Sequence, residues 1–216
     1  MPIFALDDAL RFPPVHLAEG SGLLAMGGDL SPERLILAYK SGIFPWYDHP
    51  PILWWCPDPR FVLFPVDFKV SKNLKPLLKN NTFEFTINIA FSQVIDHCKE
   101  IFRPGQDGTW ITEEVKAGYV KLHELGFAHS AEVWQQGELV GGLYGIKIGK
   151  VFFGESMFSL VSNASRYAFA KYMDVLKSED IRVIDCQIHS DYLESMGAEM
   201  IDGKEFDRLL ERYCRG

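Results

Sequence analysis

The stretch from Ser130 to Phe158, SAEVWQQ–G–ELVGGLYGIKI–GK–VFFGESMF, limits what the chain can fold into more than any other. Three strand-like runs are separated by Gly137 and by Gly149-Lys150, punctuation that leaves room only for tight reversals. The stretch predicts a three-stranded meander. Such a sheet has to bury at least one face against other elements.

The flanking segments supply them. Ser31 is placed to cap a helix over ERLILAYKS, with Pro32 at its first position, Glu33 favourable to its dipole and Gly42 ending it. TFEFTINI, from Thr82, alternates as a strand, and AFSQVIDHCKEIF has helical periodicity. Thr112 caps a further helix whose buried face carries Val115, Tyr119 and Leu122, closed by Gly126. Asn163 or Ser162 starts another through Tyr172 and Leu176. RVIDCQIH is a strand, and Asp202 with Glu205 opens a last helix. The expected fold class is α/β (α+β) with a mixed sheet. The first sixty residues are rich in turn formers and aromatics, so a small N-terminal domain, 1–60, is expected ahead of a larger one, 61–216. The order hairpin, helix, strand is that of acetyltransferase-like (GNAT-type) enzymes, an analogy of fold alone.

Hydrophobic residues make up 47% of the chain, enough for a core, yet no apolar run approaches the ~20 residues that span a bilayer. MPIFALDDALRF lacks the basic and apolar regions of a secretion signal. Cys56, Cys98, Cys186 and Cys214 form no C-x-x-C, which fits a reduced compartment. A soluble cytoplasmic protein is the expectation. The formal net charge of −7 argues against nucleic acid as a partner. Against that sum, Lys69, Lys72, Lys75 and Lys79 would fall within roughly a third of a helix circumference at ~100° per residue. A phosphate-facing stripe and an ordinary solvated face both explain them.

VFFGESMFSL sets Glu155 among phenylalanines, a methionine and a leucine. An ionised carboxylate there is costly unless something pairs with it. In RVIDCQIH, alternation puts Val183, Asp185 and Gln187 on one face and Ile184, Cys186 and Ile188 on the other, with Asp185 and Gln187 about 7 Å apart. Polar side chains on inner strands are either a satisfied structural network or a site. Two such carboxylates favour a site. Trp46 and Trp110 lie in Gly/Pro-rich loops, where a large ring either covers a core or stacks a flat ligand. Ser156 lacks the surroundings of a nucleophile elbow. No histidine pair has helical metal-binding spacing with a carboxylate, so no metal is assigned.

The motifs GLLAMGGDLSPERLILAYKSGIFPWY, ILWWCPDPR, GTWIT, HELGFAHSAEVW, ELVGGLYG, FFGESMFS, NAS and IDCQ, in that order, resemble the bacterial leucyl/phenylalanyl-tRNA–protein transferases over roughly residues 20–200. The resemblance implies an enzyme that moves leucine or phenylalanine from charged tRNA to the N-terminal Arg or Lys of an acceptor protein. It implies that this marks the acceptor for degradation, and that no metal or coenzyme takes part. Carried over by position, Asp185 and Gln187 fall on the IDCQ pair at the acceptor amine, Glu155 on the GES carboxylate, and Trp46 and Trp110 at the terminal adenosine. Leu143, Phe152, Met157, Tyr172 and Ile184 fall in the side-chain pocket, where Tyr172 would bring a hydroxyl. Lys72 to Lys79 fall on a tRNA-facing basic patch.

Aminolysis of an ester needs a neutral amine, so Asp185 is expected as general base or amine-positioning group, Gln187 as its orienting partner or as donor to the developing oxyanion, and Glu155 as partner to a cation, the acceptor's amine or its basic side chain. A pocket that selects by shape should leak to methionine, since a methylene is worth only about 1–3 kcal/mol. Phe152 and Met157 have opposite strand parity, so both can line one pocket only through a bulge, with Gly154 the expected place. Two rivals stand beside this reading. An acyl-CoA N-acyltransferase would need glycines that LVSNASRY lacks, and a non-enzymatic RNA- or peptide-binding module would leave the inner-strand polar groups without a purpose.

Overall fold

The computed structural model describes residues 3–101 and 109–215. The chain opens with β1 (Phe4–Leu6), β2 (Leu23–Gly27), α1 (Pro32–Lys40), β3 (Phe44–Pro45) and β4 (Leu53–Trp55), whose strands form one sheet in the order β1-β2-β4-β3. α1 starts where its residues dictate: Ser31 Oγ accepts from the Arg34 N–H at 3.4 Å, and Pro32 occupies the first turn. The buried guanidinium of Arg34 donates to Asp29 and to the carbonyls of Asp7 and Ala9, which ties the N-terminal segment onto the helix.

There follow β5 (Arg60–Leu63), α2 (Leu74–Lys79), β6 (Glu84–Ile87), α3 (Phe91–Glu100), α4 (Glu113–Glu124), β7 (Ala128–Gln135), β8 (Glu138–Ile148) and β9 (Val151–Ser159). The chain then runs through α5 (Ala164–Ser178), β10 (Val183–Gln187), α6 (Asp191–Glu194), β11 (Glu199–Ile201) and α7 (Gly203–Tyr213). The second sheet has the order β11-β5-β10-β9-β8-β7-β6. All its neighbours are antiparallel except β9 and β10, which run parallel, so the fold is α/β with mixed sheets. The expected meander is β7-β8-β9. Thr112 Oγ1 accepts from the Val115 N–H at 3.2 Å, and Asp202 Oδ1 accepts from the Lys204 N–H at 2.9 Å, as capping residues should.

The lysine stripe is not a helical stripe. α2 begins only at Leu74, so Lys75 and Lys79 are on it while Lys69 and Lys72 precede it. The Lys69 N–H donates to the Met196 carbonyl at 2.8 Å, a tertiary bond that holds the backbone out of a helix there. All four ammonium-bearing side chains belong to exposed residues.

The large sheet separates two hydrophobic clusters. On one face Val62, Phe153 and Val183 pack with α1, α3, α4 and with Leu24 and Trp54 of the smaller sheet. On the other, Leu63, Phe152 and Ile184 pack against Tyr167, Tyr172 and Met173 of α5. The two sheets therefore share a core. Helix α5 starts close over β8: a Cβ on Gly141 would lie 2.5 Å from the Ala164 Cβ, so only glycine admits the helix there. Among the described residues, no helix is long and apolar enough to cross a membrane.

Candidate active site

Parallel β9 and β10 pair at Val151/Val183, Phe152/Ile184 and Phe153/Asp185, and there the pairing stops although β9 continues to Ser159. Both strands lose their regular register at that point. On β9, Gly154 is opposite Gly145 and Ser156 opposite Tyr144, which leaves Glu155 as the extra residue of a bulge. The bulge sits at the expected position. It brings Phe152, paired with Lys147, and Met157, paired with Leu143, onto one face of the sheet. On β10, Asp185 is opposite Val62 and Gln187 opposite Phe61, so Cys186 is extra.

That second bulge corrects the expected alternation. Gln187 does not share the face of Asp185 by register; it pairs on the side of Ile184 and Leu63, with φ +65°. A glutamine in the left-handed region is strained unless its surroundings hold it. Asp185 Oδ1 holds it, accepting from the Gln187 N–H at 2.9 Å.

Where the strands part, a cavity of about 420 Å³ opens between them. Leu143, Phe152, Met157 and Ile184 line an apolar slot, with Glu155, Gln187 and Asp185 beside it and Trp46 and Trp110 at its edge. Trp46 is 38% exposed and meets Trp55 edge-on with centroids 5.7 Å apart, while Trp110 is nearly buried. Tyr172 is not in the lining. It packs behind Phe152, centroids 5.3 Å apart, one layer deeper under the sheet. Phe169, one turn earlier on α5, lines the cavity in its place, so no hydroxyl enters the slot from this helix. Cys186, expected on the face of Ile184, lines the cavity as Ile184 does. Burial pushes its thiol far above the ordinary range, which disfavours the thiolate.

Asp185 is fully buried and paired through both oxygens. Arg60 Nε donates to Oδ1 at 2.8 Å and Arg60 Nη2 to Oδ2 at 2.7 Å. The guanidinium lies between the rings of Phe44 and Phe206, at 4.9 and 4.8 Å. With its oxygens engaged by Arg60 and by the Gln187 N–H, Asp185 is poorly placed to receive a proton from an incoming amine.

Glu155 is held differently. Tyr119 Oη donates to Oε2 at 2.9 Å, Gln187 Nε2 donates to Oε1 at 2.9 Å, and the Tyr39 hydroxyl lies 2.5 Å from that of Tyr119. Burial pushes the Glu155 carboxyl up from 4.5 to about 7. The Tyr39 and Tyr119 hydrogen bonds pull it back, the charge of Asp185 adds to the rise, and Gln187 opposes it. A carboxyl poised near neutrality, beside an amide donor and an apolar slot, can accept a proton and return it.

Nothing in the sequence singles out Arg60, Tyr39 or Tyr119 for the site. Periodicity places Tyr119 in the core of its helix, which holds for the ring and says nothing of the hydroxyl. The usable signal was Asp185 and Glu155 themselves, since a buried carboxylate requires a nearby cation or donors. At the mouth, exposed His189, Asp191 and Glu194 bring possible ligand atoms within 4.8 Å of one another, a grouping common on acidic surfaces without any ion.

The family model for the leucyl/phenylalanyl-tRNA protein transferase matches residues 62–211, and the model for that enzyme's N-terminal domain matches residues 28–58. A leucyl/phenylalanyl-tRNA–protein transferase of Syntrophobacter fumaroxidans is 51% identical over 211 residues, covering 97% of this chain and 90% of that protein. One of Christiangramia forsetii is 54% identical over 211 residues, covering 96% of this chain and 100% of that protein. Among solved structures, a conserved protein of unknown function from Bacteroides thetaiotaomicron is similar with a TM-score of 0.44 and 17% identity over 72% of this chain and 56% of that one, a likeness that carries no argument. On the family models and these relatives together, the chain belongs to the leucyl/phenylalanyl-tRNA protein transferase family.

Proposed function

We propose that this chain transfers leucine or phenylalanine from charged tRNA to the N-terminal Arg or Lys of an acceptor protein in the cytoplasm, using no metal or coenzyme, and so marks that protein for degradation. The observation that carries the reading is the shared cavity, in which an apolar slot of amino-acid size adjoins a near-neutral carboxyl. In this reading a small N-terminal domain, 1–60, supplies Trp46 and Tyr39 to an acetyltransferase-like domain, 61–216.

The proposed roles follow from placement. Trp46 and Trp110 stack the terminal adenosine, a contact worth roughly 1–3 kcal/mol per base and indifferent to the rest of the tRNA. Leu143, Phe152, Met157, Phe169 and Ile184 enclose the amino-acid side chain. Lys69, Lys72, Lys75 and Lys79 meet the tRNA backbone, where each neutralised phosphate adds to the salt dependence of binding.

The acceptor's α-amine has an ordinary pKa of ~8 and arrives largely as ammonium. Glu155, with a carboxyl near 7, lies close enough to that value for the proton to pass with little cost. That first proton passes on to solvent. The freed amine nitrogen then attacks the ester carbonyl carbon, and as the C–N bond forms the nitrogen gives a second proton to Glu155. The bond to the ribose oxygen breaks, and Glu155 delivers this second proton to the leaving oxygen. Gln187 keeps Glu155 oriented, and Asp185 keeps Gln187 in its strained conformation.

A filter assay with labelled leucyl-tRNA and an Arg-starting peptide tests the whole reading. Wild-type protein should transfer label, and Glu155→Gln should lower turnover by about 10²–10⁴. Retention of leucyl-tRNA without transfer would make the protein a binding module, and acetyl-CoA consumption would make it an acyl-CoA enzyme.

A further inference from the structure

Glu155 carries two tyrosines with it. Tyr119 has one hydroxyl proton, given to Glu155 Oε2 at 2.9 Å, so across the 2.5 Å contact between the hydroxyls it is Tyr39 that donates to Tyr119. The two rings come from different helices, α1 and α4, and both residues are buried. Phenylalanine would fill either position without introducing a polar atom. A hydroxyl in an apolar layer costs free energy unless it has a partner. Here the chain of donors ends on a carboxylate.

We propose that Tyr119, and Tyr39 through it, are positioning residues for the transfer step: they fix the Glu155 carboxylate where the acceptor amine's proton arrives. The proposal rests on the reading of Glu155 as proton acceptor. Oε2 is anchored by Tyr119 and Oε1 by Gln187, so the plane of the carboxylate is set from two sides. When the amine N–H bond breaks and a carboxyl O–H forms, neither tyrosine gives up its own proton. Burial, together with the charge of Glu155, holds both phenols well above the ordinary tyrosine value, so the hydroxyls only turn.

The hydroxyl pair favours the ionised carboxylate and works against burial. Removing a donor therefore moves Glu155 towards its protonated form. The other groups that bear on it stay in place: Asp185 and its partner Arg60, Tyr144 on β8, Cys186 on β10 and His189 at the mouth. Tyr39 belongs to the N-terminal segment, so α1 takes part in the chemistry of a carboxylate on the other sheet.

Tyr119→Phe and Tyr39→Phe keep the ring and remove the hydroxyl. In protein labelled with ¹³C at glutamate carboxyls, the Glu155 signal, assigned by its loss in Glu155→Gln, should titrate near neutrality in the wild type. Its midpoint should lie about one pH unit higher in Tyr119→Phe and should also rise in Tyr39→Phe. With one acceptor peptide throughout, the acid limb of kcat/KM should move the same way, and the plateau above it should lie below the wild-type value because the carboxylate is held less firmly. An unchanged midpoint in Tyr119→Phe, or an acid limb that stays where the wild type has it, overturns the assignment. A wild type that moves no leucine from leucyl-tRNA overturns the functional reading instead, while the carboxyl titration still decides whether the tyrosines set Glu155.

Discussion

At Glu155 the same burial that suits it to proton exchange makes it a liability to the fold. Its carboxyl is raised from 4.5 to about 7 in the folded chain, so folding favours the protonated form. The associated stability is fully present below about 4.5 and is lost as pH rises through about 7. Glu155→Gln, which cannot ionise, should match the wild type in denaturant midpoint at pH 4.5 and exceed it at pH 8, by a difference of order 1–3 kcal/mol. An equal gap at both pH values would contradict this account of the carboxyl. Arg60 offers the opposite case. Arg60→Met leaves the buried Asp185 without its cation and should cost about 3–5 kcal/mol in chemical denaturation. Replacing Asp185 by Leu in the same chain should recover much of that loss, because the cost lies in the unpaired charge.

Among the elements, β9 does most to make the site, through its bulge and its parting from β10. The bulge was legible: Phe152 and Met157 have opposite parity, and only an inserted residue reconciles them. The second bulge was not, because nothing in RVIDCQIH conflicts with plain alternation. A β8 glycine guards the arrangement. A Cβ on Gly145 would lie 2.2 Å from the Phe153 carbonyl oxygen and 2.5 Å from the Phe152 ring, so Gly145→Ala must push strand or ring aside. It should cost about 1–3 kcal/mol in stability and lower kcat/KM for leucine transfer by displacing Phe152 from the slot. Denaturation curves and the transfer assay, run side by side, check both effects. The lysine segment shows the limit of periodicity. Its spacing suits a helix, but the Lys69 N–H is spent on the Met196 carbonyl and the helix begins only at Leu74.

For the whole molecule, the two sheets share one hydrophobic cluster, in which Leu24 and Trp54 pack together with Phe153 and Val183. Units joined in this way should unfold together. Tryptophan fluorescence, to which Trp46, Trp54 and Trp55 of residues 1–60 contribute three of the five rings, should therefore follow the same denaturant transition as far-UV circular dichroism. Separate midpoints would mean that residues 1–60 open on their own.

The chain by itself determined the meander, the caps at Ser31, Thr112 and Asp202, and the list of carboxylates in need of a partner. These follow from local causes: alternation, turn chemistry, and the cost of burying charge. Which groups answer those carboxylates was decided only by tertiary packing. Arg60, Tyr39 and Tyr119 come from β5, α1 and α4, and each looks from its own element like an ordinary buried position. Periodicity reports that a side chain is buried but not what it meets there. That meeting depends on where β9 and β10 cease to pair, and the breaking of a ladder between strands distant in sequence is a property of the assembled sheet.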